Sequence, residues 1–167
     1  HPQRLNELAR RIAQDAEPDD LVLFIDGDTL PVAPLAPVLE ALHTTPLVAV
    51  RRDENLGDPQ PHPCFAVTSL RTWDAIDGDW RGGHRWTNSN GELVTDVGGN
   101  LLAALDASST GWRALTRCNG VDLHPLWFAL YGDDELGPVV YHHGAGFRDR
   151  VRSEEHTSEL QSHSDLV

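Results

Sequence analysis

Five apolar residues in a row, Leu21-Val22-Leu23-Phe24-Ile25, stop abruptly at the acidic Asp26-Gly27-Asp28. A run this short and continuous reads as a strand buried on both faces, because a half-exposed strand alternates apolar with polar residues. Pro46-Leu47-Val48-Ala49-Val50 repeats the pattern, Cys64-Phe65-Ala66-Val67 reads as a third strand and Val139-Val140-Tyr141 as a last one. Helical signals fall between them. Residues 2–16 place Leu5, Leu8, Ala9, Ile12 and Ala13 at the spacing of an amphipathic helix. Pro31, Pro34 and Pro37 punctuate a loop and a short helix reaching about His43. Ser69 caps a helix running through Ile76. Asp96 stands at the N-cap of a helix carrying Val97, Leu101, Leu102 and Leu105. Residues 51–63 read as a loop, 77–95 as a long loop of the kind that is either functional or disordered, and 112–131 as short strands and turns. Buried strands alternating with helices predict a layered α/β domain.

The chain has 167 residues, room for one domain. Its 13 basic residues are all Arg and face 26 acidic ones, for a net charge of −13. Such a surface does not displace phosphate counterions, which excludes broad nucleic-acid binding, and it is repelled by anionic lipid. No apolar run approaches the roughly 18–20 residues of a membrane-spanning helix. Cys64 and Cys118 are far apart and in no CxxC pattern, so neither a disulfide scaffold nor a zinc ribbon is expected, and a cytoplasmic setting is. The eleven residues from Arg152 to Ser162 resemble one reading frame of a common sequencing adapter. Residues 152–167 are therefore expected to be a non-native, disordered polar tail, and residues 1–151 a partial catalytic domain. With His1 rather than Met at its start, the sequence reads as an internal piece of a longer protein.

Three clusters can carry chemistry. Asp26 and Asp28 close a buried strand, where open α/β sheets bind their ligands. Two carboxylates one residue apart repel each other unless a cation or donor lies between them, and a hard divalent ion fits that need. Gly27 keeps the turn small enough for a bulky ligand. His142-His143-Gly144-Ala145-Gly146-Phe147-Arg148 follows the last strand. Adjacent strand residues face opposite ways, so one His points into the site and one does not. Imidazole ligates Mn²⁺ and its neighbours, and Arg148 can pair with phosphate. Asp96-Val97-Gly98-Gly99-Asn100 offers either an ordinary helix cap or a general base, with glycines that let a substrate lie against the backbone. Trp73, Trp80, Trp86, Trp112 and Trp127 read as core by default, with Trp80 and Trp86, in the long loop, the two offering stacking on a sugar ring as the alternative, and Cys64 reads as a buried small hydrophobe.

Taken together, a helix, a buried strand, a D-x-D, a later helix opened by Asp and a terminal strand ending in His resemble the rear part of a GT-A glycosyltransferase, much like the family 2 class. The resemblance covers roughly residues 1–150. It implies a layered mixed sheet flanked by helices whose N-terminal part is missing. It also implies a nucleotide-diphosphate sugar as donor, a hydroxyl acceptor and a divalent ion, Mn²⁺ or Mg²⁺. Asp26 and Asp28 then hold the metal on the donor diphosphate, His142 or His143 is the late metal ligand, and Asp96 is the catalytic base. Thr95-Asp96 supplies one carboxylate where the family has an acidic pair. Arg148, Arg51 and Arg52 are the cations that would bridge an acidic protein to an anionic donor. Two rivals stand beside this reading. Phe24-Ile25-Asp26-Gly27-Asp28-Thr29-Leu30 also resembles the first motif of haloacid dehalogenase-type phosphatases, and Gly132-Asp133-Asp134 their last. The Thr comes one place early, however, and the chain has no Lys. The other rival is a sugar- or metal-binding module without catalysis.

Overall fold

The computed structural model describes residues 1–120 and 128–144. Trp127, Arg148 and the whole segment 152–167 lie outside the described residues. The elements are α1 (Pro2–Ile12), β1 (Leu21–Ile25), β2 (Thr29–Pro31), α2 (Ala36–Ala41), β3 (Leu47–Arg51), β4 (Pro61–Ser69) and α3 (Leu70–Ala75). They continue with β5 (Trp86–Thr87), β6 (Leu93–Val94), α4 (Gly99–Ser108), β7 (Arg113–Arg117), β8 (Ala129–Asp133) and β9 (Gly137–His142).

Among the described residues, seven strands form one mixed sheet in the order β1-β4-β3-β7-β8-β9-β2. β3 and β7 pair in parallel, and the other neighbours are antiparallel. Since β1 and β3 both run antiparallel to β4, the strands β1, β3 and β7 share one direction. Their carboxyl ends carry Asp26, Arg52 and Arg117. β1 and β2 occupy the two ends of the strand order, yet only Asp26-Gly27-Asp28 separates them.

Two apolar clusters cover the two faces of this sheet. On one, Ala9 of α1, Leu70 and Trp73 of α3, and Leu101 and Leu105 of α4 pack on Val22, Phe24, Leu47, Ala49 and Ala66. On the other, Val38 of α2 packs with Val48, Val50, Phe65, Leu115, Tyr131 and Val140. The mixed α/β class expected from the sequence is the one observed.

Local chemistry explains most boundaries. Ser69 accepts the Thr72 N–H at 3.1 Å and caps α3 as expected. β3 and β4 are buried along almost their whole length, as their continuous apolar runs require. β1 differs. Its burial alternates, and Leu21, Leu23 and Ile25 are 39–48% exposed, because β1 is the end strand of the sheet and no layer covers that face among the described residues. α1 stops at Ile12, short of residue 16. It turns Leu5 and Ala9 inward while Leu8 and Ile12 stay exposed, so only part of the apolar spacing faces the core. β4 begins at Pro61, inside the expected loop, and the long loop contains the β5–β6 hairpin.

Candidate metal centre

The Asp26-Gly27-Asp28 turn is stitched to the sheet on both sides. The Asp26 N–H donates to the Cys64 carbonyl of β4 at 3.1 Å, and the His143 N–H donates to the Asp28 carbonyl at 3.0 Å. The Thr29 N–H closes the turn on the Asp26 carbonyl at 3.0 Å. A Cβ added at Gly27 would meet nothing within 4 Å, so the space over the turn is open. β2 then pairs with β9 so that Thr29 stands opposite His142.

This pairing brings two segments from near the two ends of the described chain together. One oxygen each of Asp26 and Asp28 and one ring nitrogen of His142 lie within 4.8 Å of one another. His142 Nε2 is 3.4 Å from Asp28 Oδ1. The His142 side chain is 7% exposed, and its Nδ1 is buried with no hydrogen-bond partner. The hydroxyl of Thr29, across the ladder, is likewise buried without a partner. His1 Nε2 approaches Asp26 Oδ1 at 3.5 Å from the solvent side.

The electrostatics are those of a site short of positive charge. Burial pushes the Asp26 carboxyl above its ordinary value, and the Asp28 charge adds to that shift. His142 and Arg52 pull it back only in part. Burial also lowers the His142 ring below its ordinary value, with Arg52 assisting, against the raising influence of both aspartates. A neutral buried imidazole and two carboxylates of which one is costly to ionise form a coherent donor set for a divalent ion. Mixed carboxylate and imidazole ligation suits Mn²⁺, and the carboxylates alone suit Mg²⁺. A metal-bound imidazole ordinarily uses its second nitrogen on a neighbouring acceptor; His142 Nδ1 makes no such bond, so the fit rests on the donor set and on the 4.8 Å spacing of its atoms.

Of the two histidines, His143 is exposed on the opposite side of the strand. Its Nδ1 is 3.1 Å from the Tyr141 hydroxyl, and its ring meets Phe128 edge-on. The period-2 alternation of β9 separates it from the cluster.

Asp96 is not the cap of α4. The N-cap position is Gly98, in the left-handed region at φ +84°, and the helix begins at Gly99. Asp96 Oδ1 accepts the Val97 N–H at 2.7 Å, and Oδ2 is 3.4 Å from Arg52 Nη2. Its side chain is 43% exposed. Gly98 is explained by packing rather than by a substrate, because a Cβ there would stand 2.0 Å from the Pro61 carbonyl oxygen. Arg52 is buried and bridges Asp96 to Asp58 at 3.7 Å, while Arg51 pairs with Asp53 at 2.7 Å. Both cations are thus already engaged. Trp80 is fully buried against Phe24 and Trp73, so it is core and not a sugar platform. Trp86 is half-buried in the β5–β6 hairpin. Burial drives the Cys64 thiol far above its ordinary range, which removes it as a nucleophile.

Sequence reasoning missed Arg52 as the hub between Asp58 and Asp96, and missed the Glu54–Tyr131 pair behind the cluster. The only sequence signal was an Arg at the end of an apolar run, the same signal that pointed to Asp26. A cavity of about 300 Å³ lined by Asn6, Trp73, Asp77 and Arg81 shares no residue with the triad, so volume alone does not point to it. Compared with known protein families, curated proteins and solved structures, the chain has no match.

Proposed function

We propose that this chain is part of a metal-dependent glycosyltransferase with GT-A-like layering, moving a sugar from a nucleotide-diphosphate donor to a hydroxyl acceptor. The observation that carries the reading is the meeting of Asp26, Asp28 and His142 within 4.8 Å at the carboxyl end of β1, under open space at Gly27. Asp26, Asp28 and His142 would hold Mn²⁺ or Mg²⁺. When bound, such an ion supplies Lewis-acid neutralisation of the charge that grows on the leaving diphosphate.

The chain's own groups supply the rest. The two aspartates face the donor from one turn, and the paired β2 and β9 hold His142 against them. Asp96, on the exposed side of Arg52, accepts the proton of the acceptor hydroxyl as it attacks the anomeric carbon. Arg52 fixes the direction of that carboxylate at 3.4 Å.

The phosphatase reading is the weaker one. Asp133 is paired with Arg113 at the amino end of β7, whereas Asp26 stands at the carboxyl end of β1, which runs parallel to β7. Asp133 is committed to that pair with Arg113 and is not one of the groups that meet at the Asp26 turn.

Turnover of a panel of sugar nucleotides, measured as nucleoside-diphosphate release with and without Mn²⁺, tests the proposal. Metal-dependent release is expected, and Asp96→Asn lowers kcat by about 10²–10⁴ with donor affinity nearly kept. A fully active Asp96→Asn removes the base assignment. Release from no donor removes the transferase reading, and release that is indifferent to metal removes the metal's part in it.

A further inference from the structure

Asn is followed by Gly twice in the chain, at Asn90-Gly91 and at Asn119-Gly120, and the fold holds the two steps differently. An Asn side chain can react with the backbone that follows it, because the nitrogen of the next residue can reach its Cγ. Gly is the follower that permits this most readily, since no Cβ crowds the nitrogen and the backbone bends as required at little cost.

Asn90-Gly91 forms the tip of the β5–β6 hairpin. The Asn88 N–H donates to the Glu92 carbonyl and the Gly91 N–H to the Asn88 carbonyl, both at 2.9 Å. The buried Asn88 side chain props the tip from inside, its Oδ1 accepting the Asn90 and Glu92 N–H groups at 3.0 Å. Asn90 and Gly91 are themselves exposed, and no hydrogen bond among the described residues holds the Asn90 amide. A Cβ added at Gly91 would meet nothing within 4 Å, so the space beside its nitrogen is open. Only the bond from the Gly91 N–H to Asn88 must open to free the attacking nitrogen, and backbone bonds at an exposed tip open at far less cost than the global fold.

Asn119-Gly120 has the same two residues in the opposite setting. Asn119 Nδ2 donates to the Phe128 carbonyl at 2.8 Å, and its Oδ1 accepts the Leu130 N–H of β8 at 2.7 Å. Both ends of the amide are clamped to the neighbouring segment, and Cγ turns towards the Gly120 nitrogen only when both bonds are broken.

We propose that Asn90-Gly91 is a site of spontaneous modification in the folded chain, and that the cross-strand clamp keeps Asn119-Gly120 intact. The Gly91 nitrogen gives up its proton and bonds to Asn90 Cγ. The Cγ–Nδ2 bond breaks, ammonia leaves with that proton, and a cyclic succinimide remains. Water then opens the ring at one carbonyl or the other, giving aspartate or an isoaspartate whose main chain runs through Cβ and Cγ. Either product sets a new negative charge beside Glu92. The isoaspartate also adds a methylene to the backbone of the tip, which moves the Gly91 N–H off Asn88 and pulls on the 2.8 Å bond from the Ser89 N–H to the Leu56 carbonyl, the link between the hairpin and the β3–β4 connection. The modification depends on neither the metal nor the transferase reading.

The test incubates the full 167-residue chain metal-free at mildly alkaline pH and physiological temperature, with a parallel sample in urea. Peptide mass spectrometry follows both Asn-Gly steps, and an L-isoaspartyl methyltransferase labels any isoaspartate. In the folded chain Asn90 should convert at least about tenfold faster than Asn119, whose two side-chain bonds must open first. In urea, with the clamp gone, the two should convert alike. Asn88→Ala removes the acceptor of two tip N–H groups and should speed conversion at Asn90 while leaving Asn119 as it is.

An Asn90 that stays intact in the folded chain overturns the proposal, as does an Asn119 that converts as fast. A difference that persists unchanged in urea assigns the order to local sequence and overturns the protective role of the clamp. Aspartate formed without any isoaspartate overturns the succinimide route.

Discussion

Asp28→Asn separates the metal role of the acidic turn from its structural role, because the two have different signs. In the metal-free chain Asp28 is 45% exposed, sits 3.4 Å from His142 and repels Asp26. Removing its charge loses a weak pair and relieves a repulsion, so stability should change by no more than about 0.5 kcal/mol. With metal the balance reverses. At a Mn²⁺ concentration about 100 times the dissociation constant, binding to the folded state alone stabilises it by about 2.7 kcal/mol. For a chain of this size that raises Tm by roughly 5–11 °C, at about 2–4 °C per kcal/mol. If losing one of three ligands weakens binding about a hundredfold, the same Mn²⁺ concentration leaves only about 0.4 kcal/mol, or roughly 1–2 °C. Differential scanning fluorimetry over a Mn²⁺ titration measures both terms, with calorimetry giving the affinity directly. The reasoning is refuted if the parent shows no metal-dependent rise, or if Asp28→Asn rises as much as the parent. A metal-free Tm that drops by many degrees would instead make Asp28 a structural residue of the turn.

Three further outcomes follow from particular groups. His142 is held below its ordinary value of 6.5, so its contribution to stability is present above that value and is lost as pH falls through the lowered one. Asp26, raised above 3.8, contributes in the opposite sense, with stability present below that value and lost as pH rises through the raised one. The His142 part lowers the metal-free Tm as pH falls below about 6.5, so Tm should drop less over that range in His142→Gln than in the parent, as scanning calorimetry across buffers would measure. Ser69→Ala removes the cap on α3 and should cost about 1 kcal/mol in urea denaturation, with an unchanged m-value. Gly98→Ala forces a side chain into the left-handed region against the Pro61 carbonyl and should cost at least about 2 kcal/mol, whereas Gly27→Ala, with open space around it, should leave the metal-free Tm in place.

How much was legible in the sequence depended on whether the signal was local. Leu47–Arg51 and the capped helix after Ser69 follow from runs and caps confined to a few residues, and the structure has them where the sequence puts them. Asp26, Asp28 and His142 were each marked by standing at the end of an apolar run, and alternation alone divided the two histidines. What the sequence could not show was partnership across the chain. Asp96 looks like a helix cap because Asp often is one. The turn at Gly98, fitted against Pro61, moves the helix start downstream and leaves Asp96 to Arg52. The exposure of Leu21, Leu23 and Ile25 escapes the pattern too, since an apolar run says nothing of whether its strand ends the sheet. The Glu54–Tyr131 pair joins a loop to a distant strand, and no local rule anticipates it.

The place of the Asp26-Gly27-Asp28 turn in the strand order has a kinetic consequence. β1 and β2 are neighbours along the chain but are seated at the two ends of the sheet order. The turn reaches its final surroundings only when β9, the last described strand, has paired with β2 and brought His142 opposite Thr29. Contacts of such long sequence separation close late and slowly, because the intervening loop entropy must be offset first. An ion held by this triad would consequently be captured only at the end of folding. The moment of Mn²⁺ uptake during refolding would then time the completion of the whole sheet, and a partly folded chain, even one with β1, β3 and β4 already assembled, would carry its two aspartates without their histidine.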